Sequence, residues 1–199
     1  MAKSLGLDRC PRRGRIRLKS HADLVAAVDR LPSASWSGKA WRHPRLGRDP
    51  LSGQGARAFG GRWNRPKSFS VLYLGTERHA AIAELHRLIA RQSFTAADLF
   101  SRAVYIYVKL LNLLDVSDAN AQAALDLDLG ALRSDDPSRC RNVGEAAFVA
   151  GRTAILAPSA TGHGSILAVF SERLNNGSTV QPGEYELWEP NEPPVAPTP

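Results

Sequence analysis

Two kinds of segment alternate irregularly along this chain, and their order constrains the fold more than any other feature of the sequence. The first kind is a short apolar run with strand character, and the second is a longer helical pattern. The strand-like runs cover residues 71–74, 103–111, 153–156, 165–170 and 184–188, and the helical patterns cover residues 22–31, 77–92, 119–127 and 142–150. Because strands and helices do not follow one another in regular βαβ units, we predict an α+β protein.

Two common nucleotide-binding motifs and a metal site are not supported by the sequence. No Gly-x-Gly-x-x-Gly follows the first strand, and the chain has no P-loop. The two cysteines, Cys10 and Cys140, belong to no Cys-x-x-Cys pair. His79 and His86 are seven residues apart, whereas a helical metal site needs a spacing of three or four. We therefore expect no bound metal ion.

The basic residues are concentrated at the amino terminus. The 199-residue chain has a formal net charge of +7, and residues 1–20 hold seven lysines and arginines against one acidic residue. The remaining residues hold 19 basic and 18 acidic side chains, so that part is nearly neutral. We predict a disordered basic arm at residues 1–19, a single folded domain at residues 20–188 and an extended proline-rich tail at residues 189–199. No apolar run approaches the roughly 20 residues of a membrane helix, and no secretory signal is recognisable, so a cytoplasmic protein is expected.

Residues 33–70 form a long stretch with few periodic apolar positions. Glycine, arginine, proline and serine are frequent there, which predicts irregular structure. The stretch also holds five large aromatic residues, namely Trp36, Trp41, Phe59, Trp63 and Phe69. That content is too aromatic for a solvated linker. A long irregular segment inside a compact domain is usually functional, and we interpret this one as part of a binding site.

The segment from Ser52 to Asn64 ends in Gly60-Gly61-Arg62-Trp63-Asn64. Paired glycines allow the backbone to reach positive φ and to approach a ligand closely. The planar guanidinium of Arg62 can bind two oxygens of a pyrophosphate or a carboxylate at once.

Three further residues carry chemistry only in combination. Tyr73 ends a buried strand, Glu84 lies in the helical pattern 77–92, and Ser159 follows Pro158 at the end of a strand. Trp63 or Tyr73 could stack on a flat ring such as nicotinamide or adenine. Taken singly, such a tyrosine is typical of a core, such a glutamate of a solvated helix face and such a serine of a turn.

The order and spacing of these segments resemble the RES-domain family. In that family a small polar residue and glycine open a run that closes with Gly-Gly-Arg-Trp-Asn, here residues 52–64. A strand ending in tyrosine follows, here Tyr73, and then a helix with Ala-x-x-Glu, here ending at Glu84. A Pro-Ser comes after a later strand, here at Ser159, and an aromatic-Arg pair in the first strand precedes the run, here Trp41-Arg42. The resemblance spans about residues 40–188. The chain departs from the pattern at Phe148, where a tryptophan is common, and at Asn175, which no proline follows.

The resemblance implies an ADP-ribosyltransferase-like split core of small β-sheets with flanking helices, with NAD⁺ in a cleft between the sheets. It also implies that the chain is the toxin of a toxin–antitoxin module. Such a toxin degrades NAD⁺ by hydrolysis or by phosphorolysis, with inorganic phosphate as co-substrate in the second case. The implied partner is an Xre-like helix-turn-helix antitoxin that covers the active site, so that DNA is contacted only through the antitoxin. A homodimer within a hetero-oligomer is compatible with such a module.

The resemblance also assigns roles to individual residues. Arg42 and Arg62 would hold the phosphates, and Tyr73 would pack on the nicotinamide side. Glu84 would be the catalytic carboxylate that stabilises the positive charge on the ribose as nicotinamide leaves. Ser159 would contact the ribose or the amide. The remaining NAD⁺-binding positions of the pattern are Gly61, Trp63, Asn64 and Asn175.

Two other functions remain open at the level of sequence. The same site could transfer ADP-ribose to a protein, which some members of the family do. A nucleic-acid-binding module that uses the basic arm would instead bind DNA in a strongly salt-dependent way, and binding would not need Glu84.

Overall fold

The computed structural model describes residues 19–44, 47–91, 102–174 and 177–187. Its helices are α1 (His21–Arg30), α2 (Gln54–Phe59), α3 (Arg78–Arg91), α4 (Ala119–Ala124), α5 (Leu129–Arg133) and α6 (Ser138–Val149). Its strands are β1 (Ala34–Arg42), β2 (Val71–Gly75), β3 (Arg102–Asp115), β4 (Ala154–Pro158), β5 (Ser165–Phe170) and β6 (Thr179–Leu187). A short 3-10 turn (Ser171–Arg173) follows β5. Residues 1–18 of the predicted arm (1–19) and the whole predicted tail (189–199) lie outside the described residues.

The six strands form one sheet that folds back on itself. Its strand order is β1-β2-β5-β4-β3-β6, and β1 also pairs with β3. Within β2-β5-β4 and within β1-β3-β6 the pairing is antiparallel and extensive. The two groups are joined by only two parallel residue pairs between β3 and β4 and by one pair between Trp41 and Gly75. Mixed strands and helices of this kind confirm the α+β prediction in its coarse form.

Buried apolar side chains occupy both faces of this sheet. One cluster lies between the two strand groups, and its largest members include Leu72, Leu74, Ile106, Leu110 and Leu167. The second cluster lies under α1 and α6, and Val28, Trp63, Val143, Ile155 and Phe170 belong to it. Phe69 and Phe148 stack there with ring centroids 4.1 Å apart. The second cluster therefore ties the glycine-rich segment to α6.

The sequence predicted several elements correctly and missed others. β5 is confirmed at residues 165–170, and α1 is confirmed with Ser20 as its N-cap, which accepts from the backbone N–H of Asp23. Residues 33–70 are less irregular than expected because β1 and α2 lie within them. The helix expected at 119–127 begins at Ala119 but ends at Ala124, and the separate α5, which Asp128 caps, was not predicted. In the described part of the chain, no helix is long and apolar enough to cross a membrane.

Candidate active site

Helix α3 and the end of β4 bring Glu84 and Ser159 into direct contact. Ser159 Oγ donates a hydrogen bond of 2.7 Å to Glu84 Oε1, and the backbone N–H of Ala160 donates to the same oxygen at 3.2 Å. Ser159 is 1% exposed, and Glu84 is half-buried. Glu84 Oε2 has no hydrogen-bond partner among the described residues. The carboxylate is thus held through Oε1 by two donors, the Ser159 hydroxyl and the Ala160 N–H.

The turn after β4 positions the serine. Its backbone is closed by a hydrogen bond of 2.9 Å from the N–H of Ser159 to the carbonyl of Gly164. The side chain of Ser159 also accepts from the N–H of Thr161 at 3.1 Å and lies 2.7 Å from Thr161 Oγ1. Because the serine oxygen is bonded on both sides, its hydroxyl is oriented toward Glu84.

The tyrosine of β2 supports the glycine-rich segment. The Tyr73 hydroxyl accepts from the N–H of Trp63 at 2.9 Å and donates to Asn64 Oδ1 at 3.0 Å. Burial raises the pKa of the Tyr73 phenol well above its usual value, so the hydroxyl keeps the proton that it donates. A Cβ on Gly61 would lie only 2.4 Å from this hydroxyl oxygen. The close approach that this glycine permits is therefore to Tyr73.

Trp63 and Asn64 face the protein interior. The Trp63 ring is 2% exposed and lies in the cluster under α6. Asn64 is fully buried, and its Nδ2 donates to the carbonyl of Ala56 at 2.8 Å. In this structure both side chains fix the shape of the loop, and neither ring nor amide is exposed to a ligand.

Arg62 projects from this loop toward the segment between α5 and α6. Its Nη2 donates to the carbonyl of Ser134 at 2.9 Å, and its Nη1 lies 4.0 Å from Cys140 Sγ. Burial raises the pKa of the Cys140 thiol, and the positive charge of Arg62 opposes that rise. The neighbouring Arg141 donates through Nε to the carbonyl of Gly61 at 2.9 Å. The α5–α6 connection and α6 therefore hold the Arg62 loop in place.

Arg42 lies at the end of β1 and stabilises the start of the glycine-rich segment. Its Nη1 and Nη2 donate to the carbonyls of Pro50 and Ser52 at 2.5 and 2.9 Å. Burial lowers the pKa of Arg42 to about 10, and Asp49 partly offsets that effect. Each Nη carries a second hydrogen, so the guanidinium retains donors for a phosphate.

Two arginines that the sequence analysis missed stand on the helix of Glu84. Arg87 and Arg91 follow the glutamate by three and seven residues, so all three lie near one face of α3. Both arginines bind the carboxylate of Asp135, which lies between α5 and α6. The helical spacing from Glu84 is the signal that could have identified them.

The structure brings some of the predicted site residues together and leaves one of them undescribed. Asn175 lies outside the described residues. No group of three or more histidine, cysteine, aspartate or glutamate side chains is placed to hold a metal ion within the described ranges. Glu84 and Ser159 are brought together directly, and Tyr73 joins Gly61, Trp63 and Asn64. Arg62 and Glu84 both act on Arg91 of α3, since partial burial lowers the pKa of Arg91, the charge of Arg62 lowers it further and that of Glu84 raises it.

Comparison with known proteins identifies the family. The family model described as RES domain matches residues 39–188. The chain belongs to the RES domain family. Proteins named NAD(+) phosphorylase MbcT from Mycobacterium bovis and Mycobacterium tuberculosis are 33% identical to it over 167 residues, which is 82% of this chain and 87% of each relative.

A solved structure is similar to this RES-domain protein over most of its length. It is described as the crystal structure of the M. tuberculosis MbcT-MbcA toxin-antitoxin complex. The two chains share 31% identity with a TM-score of 0.72, and the alignment covers 84% of this chain and 93% of the other. The matched family region contains Arg42, Arg62, Tyr73, Glu84 and Ser159.

Proposed function

We propose that this chain is an NAD⁺ phosphorylase that acts as the toxin of a toxin–antitoxin module. The observation that carries the proposal is the hydrogen-bonded pair of Glu84 and Ser159, which lies inside the matched RES domain. The relatives named NAD(+) phosphorylase support the choice of substrate and acceptor. The substrates are NAD⁺ and inorganic phosphate, and the products are nicotinamide and ADP-ribose 1″-phosphate.

Glu84 stabilises the charge that develops during bond cleavage. As the C1″–N bond breaks, its electron pair moves to the pyridinium nitrogen, and nicotinamide leaves as a neutral molecule. The ribose then carries positive charge, as in other glycosidic cleavages. A fixed carboxylate beside C1″ stabilises this state, because it is already oriented by Ser159 and Ala160 before the reaction begins.

The arginines supply the complementary charge for the phosphates of NAD⁺. Arg62 is half-buried, and its donors contact a carbonyl and a thiol rather than a carboxylate. A pyrophosphate would be a stronger acceptor than either of these groups. Arg42 retains second hydrogens on both Nη atoms and is our candidate for a further phosphate contact. Tyr73 acts on this site by shaping the loop that carries Arg62, and Asn175 remains a candidate ligand contact.

The architecture agrees with the rest of the proposal. We infer that the two strand groups, β1-β3-β6 and β2-β5-β4, correspond to the two small sheets of an ADP-ribosyltransferase-like core. We further propose one catalytic domain at residues 20–188 and a cytoplasmic location. The partner would be an Xre-like antitoxin that covers the site, since the similar solved structure is a toxin–antitoxin complex.

Product analysis tests this function and separates it from its alternatives. The purified chain is incubated with NAD⁺ in the presence and absence of inorganic phosphate, and the products are separated by chromatography. ADP-ribose 1″-phosphate formed only with phosphate supports the phosphorylase. ADP-ribose formed equally without phosphate would indicate hydrolysis, and label from NAD⁺ on a protein would indicate ADP-ribosylation.

A further inference from the structure

The carboxylate of Asp135 lies between two arginines of α3. Arg87 Nη2 donates to Asp135 Oδ1 at 3.2 Å, and Arg91 Nη2 contacts the same oxygen. The Arg87 side chain is 17% exposed, whereas the Asp135 side chain is 86% exposed. The exposed carboxylate of Asp135 is therefore bound to the largely buried guanidinium of Arg87.

This arginine pair borders the catalytic carboxylate. Arg87 and Glu84 are one helical turn apart on α3, and Arg91 is one turn further. Partial burial lowers the pKa of Arg91, and the charges of Arg87 and Arg62 lower it further while Glu84 raises it. Arg62, Arg87 and Arg91 thus contribute to one positive region beside Glu84.

The segment that carries Asp135 is attached to the site by several weak contacts. Arg62 binds the carbonyl of Ser134, and Arg87 Nη2 lies 3.5 Å from the carbonyl of Arg133. Asp136 instead accepts from Ser138 at the start of α6, and that bond does not involve the arginines. Because Asp135 is solvent-exposed, its ion pairs are screened by water and are readily exchanged. A phosphate carries more charge and more acceptor oxygens than one carboxylate, so it can replace Asp135 on the same donors.

We propose that Arg87 and Arg91 form a binding site for a phosphate group and that Asp135 occupies this site until substrate arrives. The phosphate group has two possible sources, the inorganic phosphate that attacks NAD⁺ and the pyrophosphate of NAD⁺ itself. Assigning these sources rests on the proposed function, whereas the site itself rests on the arginine–carboxylate contacts. In the first case, one phosphate oxygen bonds to C1″ as the C1″–N bond breaks, and the proton of hydrogen phosphate passes to water.

The test compares R87Q, R91Q and D135N with the wild-type chain, each made by cell-free synthesis. R78Q is the matched control, because Arg78 is also on α3 and pairs with Glu186 at 3.8 Å, away from the Glu84 face. We measure the KM for inorganic phosphate and the KM for NAD⁺ from nicotinamide release. We also measure the rise in Tm caused by inorganic phosphate at constant ionic strength, which does not depend on turnover.

Each outcome has a defined meaning. We expect R87Q and R91Q to raise the KM for phosphate by about tenfold or more and D135N to lower it by about threefold, with R78Q unchanged. A rise in the KM for NAD⁺ instead would assign the site to the pyrophosphate. Unchanged KM values for both substrates in folded R87Q and R91Q would overturn the proposal. If the arginine variants show no cooperative melting, D135N becomes the deciding variant. An unchanged KM for phosphate in D135N would then overturn the proposal.

Failure of this proposal can be told apart from failure of the proposed function. A wild-type chain that releases no nicotinamide would remove the phosphorylase assignment. The phosphate-induced rise in Tm, present in wild type and lost in R87Q, would then still report a phosphate site. If nicotinamide is released normally while neither Tm nor KM responds to these substitutions, the phosphorylase stands and the arginine site does not.

Discussion

At the scale of single residues, the contact of Glu84 with Ser159 is the central feature of the molecule. The carboxylate accepts two hydrogen bonds on Oε1, so its position is fixed before any substrate binds. This preorganisation is what a carboxylate needs in order to stabilise a short-lived positive charge. Substitutions at either residue should therefore affect turnover more than substrate binding.

Replacing Glu84 with glutamine removes the charge and keeps the size of the side chain. We expect E84Q to lower kcat by about 100- to 1,000-fold, which is the usual effect of removing one electrostatic stabiliser. Nicotinamide release under saturating NAD⁺ is the measurement. E145Q is the control. Glu145 lies on α6 and pairs with Arg65 at 2.7 Å, and its substitution should leave kcat unchanged. An active E84Q would contradict the assigned role of the carboxylate.

Replacing Ser159 with alanine removes one donor to Glu84 but leaves the N–H of Ala160. A hydrogen bond to a charged group contributes about 1.5–3 kcal/mol, so we expect S159A to lower kcat by about 10- to 100-fold. If Ser159 acts only through Glu84, E84Q and the double variant should have similar rates. Full additivity of the two losses would show an independent role for the serine.

Tyr73 is expected to act mainly on stability. Y73F removes an acceptor from the N–H of Trp63 and a donor to Asn64. Because these partners are buried, we expect a loss of about 1–3 kcal/mol in the free energy of unfolding. Urea denaturation in the E84Q background measures it without interference from toxicity. A loss of activity with unchanged stability would instead indicate direct contact of the hydroxyl with substrate.

At the scale of elements, α6 is packed tightly against the loop that carries Arg62. A Cβ on Gly144 would lie 1.8 Å from the carbonyl oxygen of Trp63, so only glycine allows this approach. G144A should force α6 and the loop apart and lower the free energy of unfolding by about 2 kcal/mol or more.

The chain offers a matched control for this substitution. Gly55 is also helical, and a Cβ there would meet no atom within 4 Å. G55A should therefore stabilise the protein by about 0.5–1 kcal/mol, as expected for replacing glycine with alanine in a helix. Thermal melts of both variants provide the comparison. Equal effects of the two substitutions would show that the contact between α6 and Trp63 is not as close as the structure has it.

Elements with a continuous apolar signal were predictable from sequence, and elements defined by distant partners were not. β5 was predicted with the right bounds because its residues are nearly all buried. β1 has no strand pattern of its own in the sequence, and only the family resemblance placed a strand at Trp41-Arg42. Only Ala40 in it is buried, and its structure depends on pairing with β3 about 70 residues later in the chain. The contact of Asp135 with Arg87 and Arg91 was not predictable for the same reason, because these partners are more than 40 residues away in the chain.

At the scale of the whole molecule, the fold brings segments from the length of the chain to one place. The pairing of β4 with β5 sets the turn that holds Ser159, and the pairing of β5 with β2 places that turn beside α3. The order of motifs in the sequence predicts that Glu84 and Ser159 belong to one site, but their contact depends on this sheet topology. Local patterns do not encode such long-range registers.

Most of the excess positive charge lies in residues 1–20, outside residues 39–188 that the RES family model matches. Residues 20–187 alone supply every contact described for Glu84, Ser159, Arg62 and Tyr73. The net charge of the chain is therefore no argument for its activity.

Nicotinamide release by the purified chain tests the central claim most directly. Wild-type protein is incubated with NAD⁺ and inorganic phosphate beside E84Q, and nicotinamide is quantified over time. We predict one nicotinamide for each NAD⁺ consumed by wild type and a rate lower by about 100-fold or more in E84Q. Equal rates in the two proteins, or no release by folded wild type with or without phosphate, would contradict the account.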